Sequence, residues 1–167
     1  MNSTTFKKTI LPLSQKIYPV AARMLGNTDD ANDAVQEVML KLWKQRNKLS
    51  KHPNIPGFAV LTARNHCLDL LKKRQIKLVP DAIDINTSSN LNSHSEIEWK
   101  ELNGIIGELI LELPEQQGEV LAMRDLDGLE FSEISEATGL KIEHIRVLLS
   151  RARKQISTQL KKIYSYE

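Results

Sequence analysis

Apolar residues in this 167-residue chain recur at intervals of three and four and almost nowhere at intervals of two, which confines it to an all-helical fold. A first helix is expected over about Leu13 to Leu25, stopped at Gly26, with Pro19 kinking or delaying it. A second, over about Asp29 to Arg46, sets Ala31, Ala34, Val35, Val38 and Leu42 on one stripe and Asp33, Glu37 and Lys41 on another. After the breaker-rich stretch from His52 to Gly57, a third begins near Pro56. It carries Phe58, Leu61, Leu68 and Leu71 inward and ends in Lys72, Lys73 and Arg74.

The periodicity lapses from Gln75 to Ser95, and residues 81–95 are rich in Asn, Ser and Asp, the composition of a tether. A second helical block then begins near Ser95, pauses at Pro114 and breaks again at Asp127 and Gly128. The expected architecture is two small helical domains, residues 1–76 and 96–167, joined by a flexible linker over 77–95.

Charge follows the same segments. Residues 1–80 carry 14 Lys and Arg against 5 Asp and Glu, residues 81–130 carry 2 against 12, and residues 131–167 carry 7 against 4. Basic ends suit contact with phosphates, and the acidic middle is repelled from duplex DNA. Cys67 is the sole cysteine, and the histidines at 52, 66, 94 and 144 lack metal-ligand spacing with it, so neither disulfide nor metal is expected. No apolar run marks a signal peptide or membrane span, so a cytoplasmic protein without direct membrane insertion is expected. Ser132, His144 and Asp125 form no catalytic spacing, and no phosphate-cradling glycine loop occurs, so neither an enzyme nor a cofactor is expected.

The most informative segment is 131–156. A short helix from Phe131 to about Thr138, a turn at Gly139 and Leu140, and a longer helix from near Ile142 have helix-turn-helix spacing. Ile142, Ile145, Leu149, Ala152 and Ile156 face inward, leaving Glu143, Arg146, Val147, Ser150 and Arg153 outside. Such a helix can enter the major groove. His144 and Arg146 near its N-terminus then meet base edges, while Arg151, Arg153 and Lys154 take phosphates, with Lys141 and Ser150 on the same face. A helical hairpin with a basic end would satisfy the helix dipole without DNA. Gly139 at the turn, Ala137 before it and the clustered Arg-Ala-Arg-Lys favour DNA binding.

These residues also carry a resemblance. The run Phe131-Ser-Glu-Ile-Ser-Glu-Ala-Thr-Gly-Leu, followed by Val147-Leu-Leu-Ser-Arg-Ala-Arg-Lys and preceded by Leu113-Pro-Glu and Glu119-Val, resembles region four of the extracytoplasmic-function sigma factors. That region contacts the minus thirty-five promoter element. Asn32-Asp-Ala-Val-Gln-Glu-Val-Met-Leu-Lys-Leu-Trp is similar to the family's region two helix that grips the polymerase clamp. Phe58-Ala-Val-Leu-Thr-Ala-Arg-Asn-His-Cys-Leu-Asp-Leu-Leu resembles the helix that melts and reads the minus ten element.

The resemblance implies a sigma factor whose partners are core RNA polymerase, through the clamp of its largest subunit, promoter DNA, and an anti-sigma factor. Asp33, Gln36, Glu37 and Leu40 would form the polymerase-binding patch. Asn65 would read an extruded base, with Arg64, Lys72, Lys73 and Arg74 along the backbone. The linker, with Asp81 and Asp84, would thread the polymerase channels. Trp43 is read as core and Asp69 as an i,i+4 partner of Lys73, while pairing of Glu37 with Lys41 is the alternative to its place in the polymerase patch. The sequence departs from the family at Phe58, usually Trp; at Gly118, commonly basic; and at Val147 and Leu148, commonly polar. A stand-alone helix-turn-helix regulator is the alternative, although the dimer interface or effector pocket it would need is not evident. A helical adaptor without DNA contacts would leave the basic recognition helix unexplained.

Overall fold

A computed structural model describes residues 1–77 and 104–165, and no strand occurs among them. Helices α1 (Ser3–Thr9), α2 (Ser14–Leu25), α3 (Thr28–Lys44), α4 (Arg46–Leu49) and α5 (Ile55–Lys77) form the N-terminal domain, with a 3-10 turn at Leu11–Leu13. Residues 104–111 form α6; α7 (Glu115–Leu121), α8 (Phe131–Thr138) and α9 (Ile142–Tyr164) complete the C-terminal domain. The expected linker from 78 onward, with Asp81 and Asp84, and the helix start near Ser95 lie outside the described residues.

Local chemistry explains most boundaries. Asn2 caps α1 by accepting from the Thr5 N–H, and Asn27 caps α3 by accepting from the Asp30 N–H. Gly26 and Gly139 end α2 and α8 in the left-handed conformation, at φ 68° and 75°. Glu130 and Glu133 form a capping box on α8. Pro19 lies inside α2 and does not delay its start. Between α7 and α8 the chain winds into a π-helical turn, Ala122–Leu126, closed by the Asp127 N–H donating to the Ala122 carbonyl at 2.9 Å.

The sequence-derived stripe of α3 is observed: Ala31, Ala34, Val38 and Leu42 are buried, with Val35 at the edge. That of α5 is corrected. Ala59, Val60, Ala63 and Cys67 are its buried residues, while Phe58, Leu61, Leu68 and Leu71 are half-buried. The cause is packing from more than one side, since α5 contacts α2 and α3 within its own domain and α8 across from it. Small residues at 57, 59 and 63 permit this approach. The two domains are therefore in contact, and Val20 and Val60 lie in one apolar cluster with Val120, Met123, Leu129, Ile134 and Ile145.

Candidate polymerase and nucleic-acid interfaces

On α3, the residues opposite the core stripe are Asp33, Gln36, Glu37 and Leu40, at spacings of three, four and seven; all four are exposed, Leu40 at 52 %. The structure thus gathers the sequence-derived patch on one helical face, two carboxylates beside an unpaired leucine. Trp43 belongs to the core: its ring meets Phe6 edge-on at 4.9 Å and is covered by Arg46. Lys41 does not pair with Glu37. Its Nζ lies 2.9 Å from Nδ1 of His66 on α5, and Asp69 and Lys73 form no ion pair with each other.

An ammonium beside Nδ1 makes that nitrogen the acceptor and leaves the His66 proton on Nε2. Burial, and secondly Lys41, lower the pKa of His66 from the ordinary 6.5, against the raising pull of Glu37 and Asp69. The folded protein therefore takes up this proton less readily than the unfolded chain, so the stability contribution is full above pH 6.5 and is lost progressively as pH falls from there through the lower pKa of the folded state. Acidification from neutrality should lower the melting temperature, and His66→Gln should flatten that part of the profile in thermal melts recorded across pH.

The sequence-derived residues on α5 divide. Asn65, Lys72 and Lys73 are exposed. Arg64 is not free: its Nε and Nη2 both donate to Oε1 of Glu119 in the opposite domain, the first at 2.7 Å. Arg74 donates to Asp30 at the start of α3. Both arginines would have to leave carboxylates to reach a phosphate backbone. The helix also runs to Lys77, beyond the expected stop at Arg74, so the basic triplet is not its terminus.

The helix-turn-helix is observed with the boundaries read from sequence. On α9, Ile145, Leu149, Ala152 and Ile156 are buried, Ile142 is half-buried, and Lys141, His144, Arg146, Ser150, Arg151 and Lys154 are exposed. Arg146 lies 5.3 Å from the centre of the Phe131 ring, which Arg124 also covers at 4.8 Å, so stacking holds the Arg146 guanidinium against the start of α8. Arg153 is engaged within the chain. It forms a fork on Asp125 in the π-helical turn, at 3.0 and 2.6 Å, and that hydrogen bond raises its pKa. Its geometry makes it a brace between α9 and the turn. Leu148 is buried, so the family departure there lies off the outward face, whereas Val147 is 44 % exposed. Gly118 is a packing residue: a Cβ there would lie 2.9 Å from the Ile110 carbonyl oxygen, so α6 can approach α7 only because the position is glycine.

Sequence reasoning missed Lys16, Arg23, Glu119, Asp127, Glu133 and Glu136, which face one another between the domains. Segregation of charge signals Lys16, Arg23, Glu119 and Asp127, but not Glu133 and Glu136, which lie in the net-basic segment 131–167. No group of three or more potential metal ligands occurs among the described residues, and no helix among them is long and apolar enough to cross a membrane.

These features define a two-domain, all-helical protein with a C-terminal helix-turn-helix. Residues 10–76 match the family model for sigma-70 region 2, and residues 103–156 match that for sigma-70 region 4. The chain belongs to the extracytoplasmic-function type of RNA polymerase sigma factors. It is 24% identical over 157 residues to the ECF RNA polymerase sigma factor SigW of Bacillus subtilis, covering 87% of this chain and 83% of the relative. It is 27% identical over 149 residues to the RNA polymerase sigma factor SigV of the same organism, covering 89% and 86%. With the ECF RNA polymerase sigma factor SigG of Mycobacterium tuberculosis the identity is 25% over 171 residues, covering 88% of this chain but 46% of the relative.

The fold is similar to that of the sigma factor RpoE of Bartonella quintana, solved in complex with the anti-sigma factor NepR. The TM-score is 0.64 at 19% identity, covering 94% of this chain and 97% of the other. CnrH, solved with the cytosolic domain of CnrY, gives a TM-score of 0.64 at 17% identity, covering 96% and 90%.

Proposed function

We propose that this chain is the sigma subunit that docks on core RNA polymerase and directs promoter-specific initiation of transcription. The observation that carries the reading is the pairing of two exposed faces on one chain: the carboxylate and leucine patch of α3, and the polar outward face of α9 in helix-turn-helix geometry. Asp33, Gln36, Glu37 and Leu40 form the polymerase contact, in which charge orients the encounter and the leucine supplies buried area. Asn65 reads an unpaired base of the minus ten element, with Lys72 and Lys73 on the adjoining backbone and Arg64 and Arg74 joining them once released.

Lys141, His144, Arg146 and Ser150 face the minus thirty-five element, with Arg151 and Lys154 on its phosphates and Arg153 joining them on leaving Asp125. Residues 1–76 and 96–167 serve as the two recognition domains, and 77–95 as the linker that lets them part. A stand-alone regulator would have no use for the α3 patch.

An anti-sigma partner fits a further feature. An apolar groove of about 600 Å³ on the C-terminal domain is lined by Ile106, Ile110, Leu121, Ile156, Leu160 and Tyr164, a shape suited to the apolar face of an amphipathic helix. The docking claim is tested with purified core polymerase. Reversing one patch carboxylate, Glu37→Lys, should weaken binding about tenfold or more in a titration, while Glu143→Lys on α9 leaves it within about twofold. Equal affinity for both variants would remove α3 from the interface.

A further inference from the structure

Where α3 meets α5, the charged groups are arranged around one imidazole. His66 is half-buried, and the charges near it are Glu37 and Lys41 of α3 and Asp69 and Lys73 of its own helix. Lys41 stands one turn beyond Glu37, the spacing at which a glutamate and a lysine pair on a helix surface. It crosses to α5 instead, and its Nζ lies 2.9 Å from Nδ1 of His66. Among the described residues, neither Glu37 nor Asp69 nor Lys73 takes part in an ion pair. Glu37 is exposed and keeps its full charge on the face it shares with Asp33, Gln36 and Leu40. It does so because Lys41 has another acceptor.

We infer that His66 is a positioning residue for polymerase docking: its neutral imidazole holds Lys41 off Glu37, and a proton taken up at Nδ1 returns Lys41 to Glu37 and weakens the contact. This inference rests on the polymerase contact proposed above for α3; the movement of Lys41 does not. In the neutral ring Nδ1 offers a lone pair to an ammonium, whereas in the imidazolium both nitrogens are donors and the two cations repel. The carboxylate one turn away from Lys41 on its own helix is Glu37, while Asp69 has Lys73 at the same spacing on α5. A released Lys41 therefore neutralises one of the two patch carboxylates, the charge that a basic partner would meet. Burial first, and then Lys41, hold the pKa of His66 below 6.5, so the lysine is retained at neutral pH and let go as the pH falls below that value. Docking is thus strongest at neutral pH and weakens on acidification. The same bond ties the helix that carries the polymerase patch to the helix that presents Asn65, next to His66 in the chain.

The test titrates the full chain against purified core polymerase at about pH 7.5 and about pH 5.5, on either side of the ordinary histidine range, at fixed ionic strength. Four chains are compared: the native one, His66→Gln, His66→Leu, and His66→Leu combined with Lys41→Met. Circular dichroism establishes that each retains its helices. Glutamine offers Lys41 an acceptor that does not titrate, leucine offers none, and methionine cannot pair with Glu37. Reversing the Glu37 charge is expected to cost tenfold or more, so neutralising it should cost about threefold. The native chain should lose that factor at the lower pH, and His66→Gln should hold its affinity at both. His66→Leu should be weak at both, and adding Lys41→Met should restore it, whereas a purely structural histidine would be made worse by the second substitution. In the free chain, the Glu37 carboxyl resonance should move as His66 takes up its proton, and move much less with Lys41→Met. An affinity of His66→Gln that falls with pH as the native one does, or a leucine variant that Lys41→Met fails to rescue, would overturn the inference. If the Glu37 resonance follows His66 through Lys41 but no chain binds polymerase, the sigma reading falls and the movement of Lys41 stands.

Discussion

Ile134→Ala should cost about 2–5 kcal/mol of stability, because Ile134 is fully buried at the point where the two domains share one core. The loss has two parts, the transfer free energy of the deleted methyl groups and the cavity left behind. Surrounding residues come from different helices, Val120 from α7, Ile145 and Leu149 from α9, and Val20 and Val60 from the other domain, so no single shift fills the gap. For a chain of this size the melting temperature should fall by roughly 5–15 °C. Ile163→Ala, at a position 45 % exposed near the end of α9, should change stability by less than about 0.5 kcal/mol. Comparable losses from the two variants would contradict the assignment of this core.

Glu133→Ala should have the next largest effect, about 2 kcal/mol or somewhat more, through a different mechanism. Glu133 is the single buried charged residue among those described, at 3 % exposure. Oε1 accepts from Lys16 across the domain boundary, and Oε2 accepts from the Glu130 N–H at 2.9 Å, closing the capping box of α8. Truncation leaves that N–H without its partner and Lys16 without its carboxylate. Glu133→Gln keeps an acceptor for the cap while deleting the charge, so it should recover part of the loss in chemical denaturation. If glutamine and alanine were equally harmful, the ionic contact with Lys16 rather than the cap would dominate.

The sequence made some elements legible and hid others for identifiable reasons. Helices α3 and α8 have an identifiable cap or a glycine stop, and the interior faces of α3 and α9 follow from the spacing of one apolar stripe, with Leu148 the addition on α9. The short helix α1 escaped because seven residues with only Phe6 buried show no period. On α5 the bulky residues at 58, 61, 68 and 71 pointed to one face, yet a helix packed from more than one side buries its small residues most deeply. The exposed patch on α3 and the outward face of α9 were visible because both are set within one helix.

What spacing within a helix cannot show is which partner an arginine takes. Arg64, Arg74 and Arg153 meet carboxylates 55, 44 and 28 positions away in sequence. Helix position and charge alone make all three phosphate contacts. The opposite polarity of the segments hints at Glu119 and Asp125, which lie in the acidic stretch 81–130, but not at Asp30, which lies in the basic N-terminal one.

Run-off transcription by purified core polymerase on a genomic promoter library, with the full chain and with Asn65→Ala, tests the central claim most directly. Discrete start sites should appear only when the chain is added, and Asn65→Ala should weaken them about tenfold or more while polymerase binding is retained. Tight DNA binding with no initiation at any site would contradict the account and leave a stand-alone helix-turn-helix regulator.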